Sequence, residues 1–246
     1  MLFINWWVFL YLTLLSIYFS GGLLLTFLNQ TGFGQVRRIQ QDSDQPEFTS
    51  FEQIRAACIS LAGISLLLAA GISLNQSGFS LFPDLEQNWI TTVGGLVLSM
   101  VVYDTTFYWI HRLLHRPWFF KRIHYYHHRI RVPGPWTTNS EHLVDGMLIN
   151  IYWLLGPVLL PIPVIVFIIH RVYDMFTGLL GHSGHEYGSI LVLPPSPLVS
   201  VTHHDQHHQY FHFNYAVHFT FWDRIMNTLH ATHDGSLNNR LRRDGR

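Results

Sequence analysis

The sequence holds a single cysteine, Cys58. An intrachain disulfide, a cysteine-rich zinc site and an iron–sulfur cluster held by this chain alone are thereby excluded. Charge is scarce too. Asp, Glu, Lys and Arg make up 12% of the 246 residues, against about 25% in soluble domains. Lys+Arg and Asp+Glu balance at 15 each, so no net field draws nucleic acid or an acidic substrate. Histidine is missing from residues 1–110, yet all 17 histidines fall between His111 and His233. The two halves of the chain therefore do different work.

What is present is apolar. Hydrophobic residues make up 48% of the chain. Leu2–Leu28 has no charged residue and is long enough for a bilayer core of about 30 Å at ~1.5 Å per residue. It has no Lys or Arg at its start, where a signal peptide carries positive charge, so it is read as a first span. Ile54–Leu74 and Trp89–Ile110 are read as the second and third. Val144–Leu180 is interrupted at Gly156-Pro157 and Pro161-Ile-Pro163. It is read as a membrane hairpin turning at the prolines, with short arms that tilt or thinning would accommodate. Counting Lys and Arg in the loops puts the Arg37/Arg38 loop and the basic stretch after Ile110 in the cytoplasm, and the Asp84/Glu86 loop outside. The hairpin returns the chain to the cytoplasm, so every histidine group lies on that side. Pro194-Pro195-Ser196-Pro197 is a break there. The fold class is all-α: a polytopic membrane helical bundle with a cytoplasmic histidine-rich helical cap.

Four histidine groups stand out: His111/His115, His124/His127/His128, His182/His185 and His204/His207/His208. Residues three and four apart share a helix face. HxxxH sets two imidazoles side by side, and each HxxHH fans three rings over about 100° of helix surface. That width suits two neighbouring metals, one ring to each and the third placed by geometry. Ten nitrogens are too many for one ion but suit two at five apiece. Imidazole alone leaves iron, zinc and copper open. His142 is a possible eleventh ligand; His203 and His212 are further candidates. His170, His218, His230 and His233 lack ligand spacing and read as ordinary. Asp104, a charge inside a span, falls on the same helix face as His111 and His115. It is the candidate acceptor fixing a ligand tautomer. Glu141, Glu186 and Asp205 could act likewise.

The pattern resembles the fatty acid hydroxylase / sterol desaturase superfamily of membrane di-iron oxygenases. The resemblance runs from about Asp104 to Thr228. It rests on Asp104…Phe107-Tyr108…His111-Arg…His115, His124…His127-His128, Asp174 to His182-Ser-Gly, and His204-Asp-Gln-His207-His208…Asn214-Tyr215…Trp222-Asp223. The motifs mix subfamilies and choose no substrate. The resemblance implies two iron ions as cofactor and O2 as co-substrate. It implies ligands at His111, His115, His124, His127, His128, His182, His204, His207 and His208; His185 stands where some relatives have an aromatic residue. It further implies a lipid substrate that is hydroxylated or desaturated, such as a sterol or fatty acyl chain. Electrons would come from a separate donor such as cytochrome b5 or ferredoxin, since no flavin, haem or NAD motif is present. Arg112, Arg116, Lys121, Arg122, Arg129 and Arg131 could dock that donor or simply follow the positive-inside bias. Phe107, Tyr108, Trp109, Trp136 and Trp153 could line a lipid route. The expected membrane is the endoplasmic reticulum in a eukaryote and the cytoplasmic membrane in a bacterium.

Two rival readings have weaker support. A zinc-dependent membrane hydrolase would want HExxH, which is absent. A metal transporter would want ionisable residues within several spans, and Asp104 alone is counted there. The expected organisation is an N-terminal transmembrane region at 1–103, a di-iron catalytic domain at 104–232 and a basic cytoplasmic tail at 233–246.

Overall fold

In lipid a spanning segment must satisfy its own backbone, so long apolar runs become helices. A computed structural model describes residues 3–31, 38–40, 50–82, 85–187 and 197–237. Arg37, Asp84, Pro194-Pro195-Ser196 and the tail residues Arg240, Arg242, Arg243 and Arg246 lie outside the described residues. The elements are α1 (Phe3–Gln30), α2 (Ser50–Leu74), α3 (Trp89–Leu114), α4 (Pro117–Phe119), α5 (Tyr125–His128), α6 (Leu143–Ile149), α7 (Tyr152–Leu159), α8 (Val164–Gly181), α9 (Val201–Tyr210) and α10 (Phe221–Ile225). No strand occurs among the described residues. The chain is thus an all-α membrane bundle carrying a histidine-rich cap.

α1 buries Leu10, Leu14, Tyr18, Gly22 and Leu25, a stripe of three- and four-residue steps. Ile4, Val8, Leu12, Leu23 and Phe27 stay exposed, as a lipid-facing side requires. α3 begins where Asn88 caps the amides of Ile90 and Thr91, and the Thr91 hydroxyl accepts from the Asn88 amide; this reciprocal cap ends the loop. α3 then runs without a break to His111.

Among the described residues, four helices are long and apolar enough to cross a membrane: Phe3–Gln30, Ser50–Phe79, Trp89–Leu114 and Val164–Gly181. The helices on either side of Pro161-Ile-Pro163 are separate, and the first arm of the expected hairpin differs from a single span. It consists of two short helices, α6 and α7, with Asn150 ending the first. The Asn150 amide donates back to the Gly146 carbonyl, and its Oδ1 accepts from Trp153 Nε1. Those local bonds compete with helix continuation. Gly156-Pro157, read as an interruption, sits inside α7.

α7 lies close against α2 at Gly71. A Cβ there would stand 2.7 Å from the carbonyl oxygens of both Trp153 and Leu154. Backbone cannot give way as a side-chain tip can, so Gly71→Val is expected to destabilise the protein by at least about 1–3 kcal/mol. Thermal unfolding in detergent reads this; an unchanged midpoint would contradict the close approach.

Candidate metal centre

α3 delivers His111 and His115 at its cytoplasm-predicted end, and His115 is its C-cap. The first HxxHH is not one regular helix. Phe120–His124 forms a π turn, and α5 follows from Tyr125. The wider turn swings His124 relative to an α-helical register, which the spacing does not reveal. α8 ends at His182, its C-cap. α9 carries His204, His207 and His208 and is capped by the Ser200 hydroxyl, which accepts from His203 N at 3.1 Å.

These elements bring nine histidines into two groups. His111, His115, His124, His128 and His207 form one; His127, His182, His204 and His208 form the other. Within each group one nitrogen per ring lies within 4.8 Å of the others. Each HxxHH is divided between the two groups, as its angular spread predicts. The count is five and four, not five and five. His185 is left out because Gly184, at φ 74°, turns the chain after α8. Residue 185 then pairs with Arg38, and its ring faces the Ser183 carbonyl at 3.2 Å. His142 is also outside: it is exposed, and its Nδ1 accepts from Val144 N as the cap of α6.

The hydrogen bonds decide which nitrogens are bare. His111, His127, His182, His207 and His208 each direct Nδ1 at a backbone carbonyl, of Tyr215, Ser140, Gly178, Phe213 and Ile130 respectively. A carbonyl only accepts, so each Nδ1 carries the proton and each Nε2 is a free lone pair. His124 Nδ1 faces the Asp145 carboxylate at 2.9 Å, with the same result. Yet His111 Nε2 and His124 Nε2 stand 3.2 Å apart, and His182 and His204 Nε2 stand 2.9 Å apart. His208 Nε2 is buried with no hydrogen-bond partner. Lone pairs crowded together in a buried site want a cation between them. Two nitrogens about 2.1 Å from one ion at a right angle are about 3.0 Å apart, so the spacing fits metal ligation.

The expected supporting carboxylates divide. Asp145 takes the role proposed for Asp104 by holding His124. Asp104 Oδ1 instead accepts the amides of Val217, His218 and Phe219 at 3.2, 2.8 and 3.1 Å. It pins the loop whose Tyr215 carbonyl orients His111. Glu186 accepts from the Thr202 amide and hydroxyl at the start of α9, and Asp205 accepts from Gln40. Glu141 accepts from the Ser60 hydroxyl. His203 faces Asp223 at 2.9 Å and not the cluster, while His212 is exposed.

A cavity of about 450 Å³ opens beside the histidines, with His111, His124, His127, His182 and His204 in its wall. Of the five aromatic residues expected along a lipid route, Phe107 lines it and the others do not. Trp136 packs on Tyr18, Trp153 is buried in the core, and Tyr108 stacks on Trp222. Two further findings depart from expectation. His170 and His218, read as ordinary, are buried and face each other at 3.1 Å. Arg171 and Asp174, uncounted in the fourth span, are buried and paired.

Burial pushes the ligand-group histidines well below the usual range: His124 and His182 to about 3, with His127 adding to the effect on His182. They are therefore neutral, the form that binds metal. The unfolded chain takes up protons below about pH 6.5, so stability is intact above that pH. It is lost as pH falls from about 6.5 toward 3, at roughly 1.4 kcal/mol per pH unit for each of these two residues. The melting temperature in detergent should be flat between pH 8 and 7 and drop steeply by pH 5. A flat profile down to pH 5 would contradict the buried neutral cluster.

With this geometry fixed, the relatives are informative. Lathosterol oxidase of Mus musculus is 31% identical over 173 residues, 68% of this chain and 55% of its own length. The chain thus spans about half the length of that relative. Methylsterol monooxygenase 2-1 of Arabidopsis thaliana is 25% identical over 236 residues, covering 87% of this chain and 84% of its own. A Delta(7)-sterol 5(6)-desaturase of Schizosaccharomyces pombe is 25% identical over 207 residues, 82% and 67% respectively. No solved structure matches the chain. The family model for fatty acid hydroxylase matches residues 96–228. That stretch contains all nine clustered histidines and the loop that orients His111, and by that match the chain belongs to the fatty acid hydroxylase family.

Proposed function

We propose that the protein is a membrane-bound di-iron oxidoreductase that uses O2 and external electrons to hydroxylate or desaturate a lipid, with a sterol as the favoured class. The observation that carries the reading is the pair of buried histidine groups with Nε2 lone pairs turned toward one another at the wall of the cavity. Related proteins named for oxidising or desaturating sterols support the substrate class.

His111, His115, His124, His128 and His207 would hold one iron, and His127, His182, His204 and His208 the other. Bound iron supplies the activation of O2 and the removal of hydrogen from an unactivated C–H bond. The chain supplies the rest. Backbone carbonyls and Asp145 lock the rings so that the lone pairs need not reorganise. Phe107 stands edge-on to His111 at 5.2 Å. With Ile149, Leu180 and Val201 it gives the cavity apolar wall, which shapes the lipid's path and excludes water. The histidine cap is read as cytoplasmic, where a donor such as cytochrome b5 or ferredoxin would deliver electrons.

Metal analysis of detergent-purified protein, beside lipid profiling of an expressing host, tests this. About two irons per chain and a new hydroxylated or desaturated lipid are expected. Folded protein that takes up no iron, even after reconstitution, would refute the reading.

A further inference from the structure

The cavity meets the histidine groups along one side. His111, His124, His127, His182 and His204 stand in its wall, and His115, His128, His207 and His208 do not. Two of those four are covered by half-buried phenylalanines. Ring to ring, Phe120 lies 5.2 Å from His115 and 5.6 Å from His128. Phe211 lies 5.1 Å from His128, and the two phenyls are 5.9 Å apart. Phe211 is held in the left-handed region at φ 63°, where a Cβ costs free energy that glycine would avoid. Glycine would also end α9 at that position, so it is the ring that the position requires.

Packing on His128 explains an aromatic ring there. It does not explain the charge around it. Residues 105–140 hold Arg112, Arg116, Lys121, Arg122, Arg129 and Arg131 and no Asp or Glu; residues 206–222 hold no Asp or Glu either. Arg131 lays its guanidinium over the Phe211 ring at 5.3 Å. Phe120 N donates to the Arg116 carbonyl at 2.8 Å, and Lys121 follows Phe120, so two cations flank that phenyl along the chain. Arg116, Lys121 and Arg131 are exposed. Aromatic residues and arginine at the centre, with no carboxylate in the segments that build the face, make a surface complementary to an acidic protein. Arg112 and Arg122 stand apart from it, over Trp109 and Trp118.

We infer that the Phe120–Phe211 face, with Arg116, Lys121 and Arg131, docks an acidic one-electron carrier protein. Electrons enter there, on the side of the histidines that the cavity does not reach. Each delivery oxidises the carrier by one electron and reduces one ferric ion to ferrous; no bond forms between the proteins. Two deliveries, two protons and one O2 balance the conversion of C–H to C–OH with one water, or of CH–CH to C=C with two. The inference deepens the oxidoreductase reading and rests on it for the iron; the docking itself does not.

The test uses two acidic probes, the soluble haem domain of cytochrome b5 and a plant-type ferredoxin. Their binding to the full chain in phosphatidylcholine nanodiscs is measured as isolated and after iron reconstitution. At least one probe should bind both preparations, and raising salt from about 20 to 500 mM should weaken it roughly tenfold. Arg116→Gln, Lys121→Gln and Arg131→Gln together should weaken low-salt binding roughly tenfold, and Arg112→Gln with Arg122→Gln less than about threefold. Phe211→Gly, which relieves the left-handed backbone, should also weaken binding, and Phe211→Tyr should keep it. With iron loaded and the probe reduced beforehand, its oxidation should slow in the triple variant, while reduction of the iron by dithionite should not. Neither probe binding, or both sets of charge variants weakening binding equally, overturns the inference. So does unchanged probe binding with loss of copurified anionic phospholipid in the triple variant, which would make the face a headgroup site. Docking by a chain that takes up no iron keeps the face and removes the oxidoreductase reading; iron and oxidised lipid without docking do the reverse.

Discussion

Protein carrying His207→Ala and His208→Ala together should retain no iron and yield no oxidised lipid. The two residues are adjacent in α9 but belong to different groups: His207 with His111, His115, His124 and His128, and His208 with His127, His182 and His204. The double change thus strikes both sites. The four-histidine group drops to three ligands and the five-histidine group to four. His207 Nε2 also faces His128 Nε2 of the same group at 3.1 Å, so its loss opens a gap beside a remaining ligand. The fall in activity should exceed the 10–100-fold typical when only a partner of a ligand is changed. Single variants should differ. His208→Ala should lose iron from the smaller group first, and His207→Ala should keep more than half of it there. His185→Ala and His142→Ala should keep both irons, because neither ring reaches a group. Iron per chain by elemental analysis, with the host's lipid profile, reads all of these. Full iron in the double variant would mean that these histidines are not the ligands.

Much of this was legible in the residues, and what was not has physical reasons. α1, α2 and α3 announce themselves because charge-free runs of that length have few alternatives in lipid. The spacing of His204, His207 and His208 survives into a regular helix. The spacing of His124, His127 and His128 does not, because a π turn ends at His124, and spacing alone cannot tell a π turn from an α turn. The exclusion of His185 hangs on a left-handed Gly184 and on a bridge to Arg38 across the chain. The acceptors that fix the ligand tautomers are mostly backbone carbonyls, such as Tyr215 for His111. Every residue has one, so no side-chain pattern points to them. Asp104 looked like such an acceptor because it shares a face with His111, but three amides claim it first. Arg171 and Asp174 escaped notice for another reason. One cation and one anion three residues apart barely dent an apolar window, and their pairing in the interior appears only when α8 packs against its neighbours. His170 and His218 have no ligand spacing because they face each other across 48 residues of chain.

Asp223→Ala should unfold the cap at lower temperature and release iron from the five-histidine group before the four-histidine group. Asp223 is fully buried. Its Oδ1 accepts from Tyr215 N and the Thr228 hydroxyl at 2.9 and 2.8 Å; its Oδ2 accepts from His203 Nε2 and Ala216 N at 2.9 and 3.0 Å. Burial alone would push its pKa up, but these donors, led by His203, outweigh burial and hold the carboxyl below the usual aspartate range. Alanine leaves three buried donors without an acceptor, while the Thr228 hydroxyl keeps the Tyr108 hydroxyl as a partner at 2.9 Å. At about 1–3 kcal/mol each, the loss is on the order of 3 kcal/mol or more, a large share of a typical net stability of about 5–15 kcal/mol. The effect reaches the five-histidine group through Tyr215. The Tyr215 amide anchors the residue whose carbonyl holds His111 Nδ1 at 2.8 Å. Freed of that anchor, His111 can flip its proton to Nε2 and cease to be a ligand. The smaller group has no residue in that loop: His182 is held by Gly178 and His208 by Ile130. Asp223→Asn should be nearly as harmful, since its amide hydrogens would confront two of the donors. Melting temperature and iron per chain, measured together, should both fall, with iron approaching one per chain before the protein unfolds. A variant that melts early yet releases both irons together would show that Asp223 supports the whole cap and not His111 in particular.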